Sequence, residues 1–148
     1  MELGLVHMWA GLAIGLSGLG VAMGQGTLAQ KAIEVLGKNP KLANTIMINT
    51  ILGIALVESA VIYGLVVAFS IFGKETIDGF SAIAAGLAIG LTAFGAGFGE
   101  GKLVAGAMDA IQRNPEIKGK VLGMMILFLA LVEVVAIYGL IVAFKILG

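Results

Sequence analysis

The chain has 148 residues, of which 59% are hydrophobic and only 12% are charged, and its mean hydropathy is +1.08. Because roughly a quarter of the residues in soluble domains are charged, this composition indicates an integral membrane protein. The formal net charge is zero, and the basic residues do not alternate with aromatic ones, so nucleic acid is not an expected partner. The absence of cysteine excludes disulfides, thiolate metal sites and thiol catalysis.

The two halves of the sequence superpose without a gap when the chain is shifted by 75 residues (86 − 11 = 75). The six residues of Gly11–Leu16 are identical to those of Gly86–Leu91, and Asn39-Pro40 falls on Asn114-Pro115. A second identical run, Ile62–Leu65, falls on residues 137–140. The chain is therefore a tandem duplication.

Each half contains two long apolar stretches around one polar turn. A helix rises 1.5 Å per residue and needs about 20 apolar residues to cross the hydrocarbon. Since proline cannot continue the incoming helix, the Asn-Pro turns divide each half into a helical hairpin. The predicted fold is an all-α membrane protein with four transmembrane helices, near residues 5–36, 42–72, 79–111 and 117–147. The two hairpins occupy residues 1–73 and 79–148, with a linker at residues 74–78.

The basic residues predict the orientation in the membrane. Only Lys74 and Lys145 lie at the end of the hairpins that holds the termini. Because basic loops stay on the cytoplasmic side, we expect the Asn-Pro turns in the cytoplasm, with the termini and linker outside. This is the orientation of a multi-pass protein of the cell inner membrane. The basic residues around the two turns are Lys31, Lys38, Lys41, Lys102, Arg113, Lys118 and Lys120.

The first and third predicted helices carry small residues at unusual density, with one at every second position of residues 18–26 and 93–101. Small residues on several faces let neighbouring backbones approach closely, which favours an inner layer of tightly packed helices; the competing explanation is that glycine is common in membrane helices generally. The second and fourth helices are richer in large aliphatic side chains and are suited to lipid contact. The small residues are Gly18, Gly20, Ala22, Gly24 and Gly26, and in the second half Ala93, Gly95, Gly97, Gly99 and Gly101.

Glu58 and Glu133 interrupt the apolar second helix of each half at equivalent positions. A charge at this depth costs at least ~2.5–3.5 kcal/mol, so such residues usually mark an ion or proton pathway. The structural alternative is a protonated glutamate that joins helices by a hydrogen bond. Counting residues from the turns places Gln25 at the depth of Glu58, and Glu100 at the depth of Glu133.

The surroundings of the two acids differ. An isolated carboxyl in hydrocarbon is expected to hold a proton, whereas surrounding oxygens favour a hard cation such as Na⁺. Glu58 has the Gln25 amide and the Ser59 hydroxyl as candidate neighbours, together with a backbone carbonyl. In the second half Glu100 replaces the amide and Val134 replaces the hydroxyl, so paired carboxyls are expected to share a proton or hold a cation. Na⁺ and H⁺ both remain candidates.

Tyr63 and Tyr138 each lie five residues after an acid. Each phenol is a candidate hydrogen-bond donor to a carboxylate. The alternative is an aromatic residue at the membrane interface, where tyrosine is enriched.

Together, Gly24-Gln25-Gly26, the Asn-Pro turn and Val57-Glu58-Ser59 followed by Tyr63 resemble the proteolipid of rotary ATP synthases, which is the c subunit of F-type enzymes and the K subunit of V-type enzymes. The resemblance covers both halves. It implies a homo-oligomeric ring with glycine-rich helices inside, turning against a stator subunit, a or I, that carries an essential arginine. It further implies central-stalk contacts at the Asn39-Pro40 and Asn114-Pro115 turns. The chain itself would be non-catalytic, with no cofactor other than the transported Na⁺ or H⁺.

The resemblance also implies that each ion site is shared between neighbouring hairpins. Because this chain keeps both acids, it is expected to carry two ions. Na⁺ is a candidate at either site, although Val134 removes a ligand from the second. The expected sites are Glu58 and Ser59 with Glu100 and the Leu131 carbonyl, and Glu133 with Gln25 and the Leu56 carbonyl.

A functional alternative from another class is a passive pore or structural membrane oligomer, with the glutamates lining water. An enzyme is a more remote interpretation, because no nucleophile or phosphate loop accompanies the glycines.

Overall fold

The computed structural model describes residues 3–74 and 76–148. Its helices are α1 (Leu3–Lys38), α2 (Ala43–Val57), α3 (Ser59–Phe72), α4 (Gly79–Arg113) and α5 (Lys118–Leu147), and a single 3₁₀ turn precedes α2 and α5 at Pro40–Leu42 and Pro115–Ile117. Within the described residues, four segments are long and apolar enough to cross a membrane: Val6–Lys38, Pro40–Phe72, Gly79–Arg113 and Pro115–Leu147. The prediction of an all-α membrane protein built from two tandem hairpins is confirmed.

The second membrane crossing keeps the predicted helical course from Pro40 to Phe72 but has a local irregularity at its acid. Glu58 separates α2 from α3, whereas α5 continues through the equivalent Glu133. Glu58 keeps helical angles, with φ −63° and ψ −30°. Its carbonyl accepts bonds from both Val61 N at 3.2 Å and Ile62 N at 3.4 Å. The crossing therefore continues in the same direction through one loosened turn at the acid.

The two hairpins close by the same contact at equivalent positions. Gly64 of α3 lies against Ser17 of α1, and a Cβ on Gly64 would approach the Ser17 Cβ to 2.7 Å. In the second hairpin Gly139 lies against Thr92, and a Cβ there would lie 2.9 Å from the Thr92 Cβ. The hydroxyls of Ser17 and Thr92 donate to carbonyls one turn earlier, at 2.6 and 2.7 Å. Both hydroxyls are thus satisfied within their own helices.

Helices α1 and α4 lie side by side and join the hairpins, with their glycines at the contact. A Cβ on Gly97 would lie 2.7 Å from Val21 Cγ2, and a Cβ on Gly101 or Gly24 would overlap backbone atoms of the facing helix. Overlap of this kind means that the backbones approach each other without intervening side chains. The α1–α4 pair therefore forms the inner layer that the glycine spacing predicts.

Helices α2, α3 and α5 form the outer layer. The α2 and α3 helices contact α4 as well as α1, so they lie over the groove between the two inner helices. Large apolar side chains are exposed along the outer helices, as expected of a surface that faces lipid. Examples are Ile48, Phe69, Leu127 and Ile141.

The ends of the hairpins carry the polar contacts. At the turn end, Lys31 bonds Glu34 at 2.8 Å and lies 3.7 Å from Asp109, which links α1 to α4. At the other end, Asp78 caps α4 by accepting a hydrogen bond from Ser81 N at 3.1 Å. The predicted linker at residues 74–78 includes residue 75, which lies outside the described residues.

Candidate ion site between the two hairpins

A cavity of about 280 Å³ lies at the depth of the glutamates, between the outer helices of the two hairpins. Its polar lining comes from both halves of the chain. The first hairpin contributes Ser59 and Tyr63 together with Leu56, and the second contributes Glu100 and Glu133. The boundary between the hairpins thus brings five of the predicted site residues together.

The Ser59 hydroxyl links the two hairpins at this cavity. Ser59 Oγ lies 2.7 Å from Glu133 Oε1 and 2.6 Å from the Leu56 carbonyl oxygen. A hydroxyl has one proton to donate and lone pairs to accept with. It can therefore donate to the Leu56 carbonyl while its oxygen faces a cation, or donate to Glu133 when no cation is present.

Glu100 is the most deeply buried ionisable residue among those described, with 1% of its surface exposed. Neither of its carboxyl oxygens has a hydrogen-bond partner within residues 3–74 and 76–148. Among the described residues, no ion pair involves Glu58, Glu100 or Glu133. An unpaired buried carboxylate is costly, so the Glu100–Glu133 pair needs a proton or a cation, and a hard cation suits this group of oxygens.

Glu58 occupies a different setting. Gln25 Nε2 donates a hydrogen bond to Glu58 Oε2, which joins α1 and the outer helix of the first hairpin. Glu58 is exposed, and neither residue lines the cavity. Leu131 and Tyr138, the equivalents of Leu56 and Tyr63, are also exposed. Within one chain, Glu58 and Gln25 therefore bond each other outside the cavity, and Glu58 remains exposed on the surface of the first hairpin.

Within the single chain, this arrangement of side chains differs from the pairing implied by the resemblance. Ser59 bonds Glu133 instead of sharing a site with Glu58, and Gln25 bonds Glu58 instead of Glu133. Successive helical residues point about 100° apart, and in this chain Glu58 is directed to Gln25 while Ser59 is directed to Glu133. The expected association of Glu133 with Leu56, and of Ser59 with Glu100, does occur in the cavity, and Leu131 is not part of it.

The sequence analysis did not identify the apolar wall of the cavity. Ile126, Leu129 and Ala130 complete the lining. They precede Glu133 by seven, four and three residues, which is the spacing of one helix face. That periodicity was a usable signal, but it is hard to distinguish from ordinary packing in a helix that is apolar on every side.

The sequence profile that describes the C subunit of ATP synthase matches this chain twice, at residues 8–71 and again at residues 83–146. The chain belongs to the ATP synthase C subunit family. Each match covers one hairpin, so the protein is a tandem-duplicated member of the family. Proteins of this family are rotor proteolipids that form an oligomeric ring within ATP synthase.

Individual relatives of the ATP synthase C subunit family align with half of the chain. The chloroplastic ATP synthase c subunit of Antithamnion sp. is 49% identical over 71 residues, which are 48% of this chain and 87% of that protein. The chloroplastic c subunit of Gracilaria tenuistipitata var. liui gives the same values. That of Cyanidioschyzon merolae is 46% identical over 74 residues, which are 50% of this chain and 91% of that protein. Nearly a whole relative thus corresponds to half of this chain.

Proposed function

We propose that this protein is the ion-carrying rotor-ring subunit of a membrane ATP synthase or ATPase. Glu133 and Glu58 each carry one ion per revolution, and ATP is made or hydrolysed in a separate soluble sector. The chain itself has no catalytic role in this proposal. The observation that supports it best is the Glu100 carboxyl, which has no hydrogen-bond partner in the described part of the chain and is buried beside Glu133 in a cavity lined by oxygens from both hairpins.

We propose Na⁺ as the ion at Glu133. The carboxyls of Glu133 and Glu100, the Ser59 hydroxyl and the nearby Leu56 carbonyl supply the hard oxygen ligands that such a cation prefers. One Na⁺ would compensate one carboxylate, and a proton retained by the pair would compensate the other. The competing cargo is H⁺ alone, with the two carboxyls sharing a proton and bonding Ser59.

Ion release follows from the same electrostatics. A carboxylate that holds a cation in a low-dielectric site exchanges it when another positive charge approaches within a few ångströms. The partner implied by the family resemblance is a stator subunit, a or I, with an essential arginine. Glu133 is half-buried and lies on the outer helix, where a stator outside the ring would pass. Arginine remains charged throughout, so it can displace the ion without itself becoming bound cargo.

The polar end of the hairpins is the proposed contact for the central stalk. Lys38, Lys41, Arg113, Lys118 and Lys120 are exposed around the two Asn-Pro turns. Basic loops favour a cytoplasmic position, which places the termini and linker outside the cell membrane. A stalk surface that binds here would need acidic or hydrogen-bonding groups.

The rotor role can be tested by carbodiimide modification of the complete complex. The expected result is that about one modified glutamate per ring blocks ATP hydrolysis, because a single neutral, bulky acid would stop rotation past the stator. Modified residues are identified by mass spectrometry of peptides. A passive pore or a structural oligomer would leave ATP hydrolysis unchanged at full modification of Glu133, and that result would refute the rotor role.

The cargo is tested by the same reaction in the purified ring at fixed pH. If Na⁺ is the cargo, increasing NaCl slows modification of Glu133, while KCl at equal ionic strength does not. Modification of Glu133 at a rate independent of Na⁺ would refute Na⁺ and leave H⁺ as the transported ion.

A further inference from the structure

Each hairpin has one covered face and one bare face. Met108 is 0% exposed against the first hairpin, whereas its repeat equivalent Ile33 is 72% exposed. On the opposite faces, Asn49 is 2% exposed and its equivalent Met124 is 56% exposed. The first hairpin covers the second through the face that holds Asn49 on α2, and the equivalent face of the second hairpin, on α5, is uncovered. The second hairpin is covered on the face that holds Met108 on α4, and the equivalent face of the first hairpin, on α1, is uncovered.

The bare faces are complementary in volume. Within the chain, Gly53 packs on Val104, and a Cβ on Gly53 would lie 2.7 Å from Val104 Cγ1. The repeat replaces Gly53 by Phe128 and Val104 by Ala29. Within the chain the small residue is on the outer helix and the large one on the inner helix, whereas in the repeat the outer helix carries the large Phe128 and the inner helix carries the small Ala29. Phe128 of one copy would therefore fit over Ala29 of the next copy in the same geometry. Faces that match in this head-to-tail way generate rings when the rotation closes.

Ring formation, which is general to this family, would place a second copy against the bare faces and complete an ion site with Glu58 and Gln25 of one copy and Leu131, Val134 and Tyr138 of the other. We propose that this second site differs in ion affinity from the site at Glu133. This between-copy site binds Na⁺ more weakly than the within-chain site at Glu133. The inference rests on the proposed function, because both sites hold the transported ion. Strong and weak sites then alternate around the ring.

The repeat determines the composition of the between-copy site. The hydrogen-bonded pair of Glu58 and Gln25 corresponds to Glu133 and Glu100. The residues that face Glu133 from the other hairpin are Leu56, Ser59 and Tyr63. Their equivalents are Leu131, Val134 and Tyr138, and the first and last of these are exposed in the single chain. The Glu58 site is therefore incomplete without a second copy.

The ligands determine the difference in affinity. At the within-chain site the Ser59 hydroxyl lies 2.7 Å from Glu133, and a second carboxylate, Glu100, shares the cavity. The between-copy site has valine methyls in place of that hydroxyl and an amide in place of that carboxylate. It thus lacks one ligand oxygen, the hydroxyl that Ser59 supplies at the within-chain site. A tenfold or greater loss of Na⁺ affinity is expected, since ~1.4 kcal/mol is sufficient for tenfold.

The test uses the intact purified ring and the Na⁺ concentration that halves the rate of carbodiimide modification at fixed pH. Glu58 and Glu133 are quantified separately from their own peptides. The expected half-protecting concentration is at least ten times higher at Glu58 than at Glu133. Equal concentrations would overturn this inference and leave the proposed function intact. Protection of neither residue would refute Na⁺ as the cargo, and this inference would fail with it.

Substitution of Val134 identifies whether this residue belongs to the Glu58 site or to the Glu133 site. Val134→Ser should restore the missing oxygen, lower the half-protecting concentration at Glu58 by about tenfold, and leave Glu133 unchanged. The matched control is Val135→Ser, because Val135 is adjacent and 47% exposed. A response at Glu133, or equal responses to both substitutions, would overturn the proposed composition.

The docking geometry is tested independently of ion binding. Because the chain has no cysteine, the double variant Ala29→Cys with Phe128→Cys should give disulfide-linked multimers on a non-reducing gel. Ala29→Cys with Leu127→Cys is the control, since Leu127 lies on the exposed side of α5. Monomers only from the first variant, or an equal ladder from both, would overturn the docking of the bare faces.

Discussion

Ser59 Oγ lies 2.7 Å from Glu133 Oε1, so a hydroxyl of the first hairpin serves the acid of the second. The relationship gives the duplication a chemical consequence. A residue and its repeat equivalent contribute to different sites, since Ser59 lines the cavity that holds Glu133 while Val134 does not. Fusing two hairpins in one chain fixes which ligand set belongs to which acid, whereas a ring of identical single hairpins would have identical sites.

Replacing Ser59 by alanine removes an oxygen from the within-chain site. We expect Ser59→Ala to raise the Na⁺ concentration that half-protects Glu133 by about tenfold, because a hydrogen bond or ligand to a charged group contributes ~1.5–3 kcal/mol. Protection at Glu58 should not change. Ser70→Ala is the control, because the Ser70 hydroxyl donates to its own helix at 2.8 Å and lies outside the cavity. An unchanged response at Glu133 would exclude Ser59 as a ligand.

Replacing Tyr63 by phenylalanine distinguishes the two interpretations of this tyrosine. Tyr63 is half-buried and lines the cavity, whereas Tyr138 is exposed in the single chain. If the phenol donates to the site, Tyr63→Phe should weaken Na⁺ protection of Glu133 about threefold to tenfold, equivalent to ~0.5–1.5 kcal/mol. Protection at Glu58 is measured in parallel. A purely interfacial tyrosine would change ring stability in detergent and leave the protecting Na⁺ concentration as it was.

Replacing Glu100 separates the effect of its charge from that of its oxygen. Glu100→Gln keeps a ligand oxygen of the type that Gln25 supplies, so Na⁺ protection of Glu133 should remain within about threefold, or ~0.6 kcal/mol. Glu100→Leu keeps the volume but removes every oxygen, and protection should fall by more than tenfold, or ~1.4 kcal/mol. Both are measured by Glu133 modification against NaCl. Glu116→Gln, in the exposed second turn, is the control. Equal effects of glutamine and leucine would show that Glu100 is not a ligand.

The sequence predicted the helices and hairpins because hydropathy and the Asn-Pro turns are local signals. It also placed Gln25 level with Glu58, since depth follows from counting residues along rigid helices. It did not give the pairing of Ser59 with Glu133. That pairing depends on the rotation of each helix about its axis, which is set by contacts such as Gly53 on Val104. In helices that are apolar on every side, hydropathy contains little information about that rotation.

Replacing Gly101 tests whether the close α1–α4 approach holds the hairpins together. A Cβ at Gly101 would overlap backbone atoms of Gly24 on the facing helix, and backbone cannot rotate out of the way as a side chain can. Overpacking of this kind costs ~1–3 kcal/mol. Gly101→Ala should therefore lower the temperature at which the purified ring dissociates, and Na⁺ protection of Glu133 should weaken, because Glu100 precedes the displaced residue.

The matched control for this change is Gly123→Ala. Gly123 is exposed and has no neighbouring atom within 4 Å of the position that an added methyl group would occupy, and its repeat equivalent Ile48 is also exposed. Its substitution should leave the dissociation temperature unchanged or slightly raised, since alanine favours a helix by ~1 kcal/mol over glycine. If Gly101→Ala behaves like Gly123→Ala, the inner helices are not held at backbone contact. The rotation of α4 that presents Glu100 to the cavity would then need another cause.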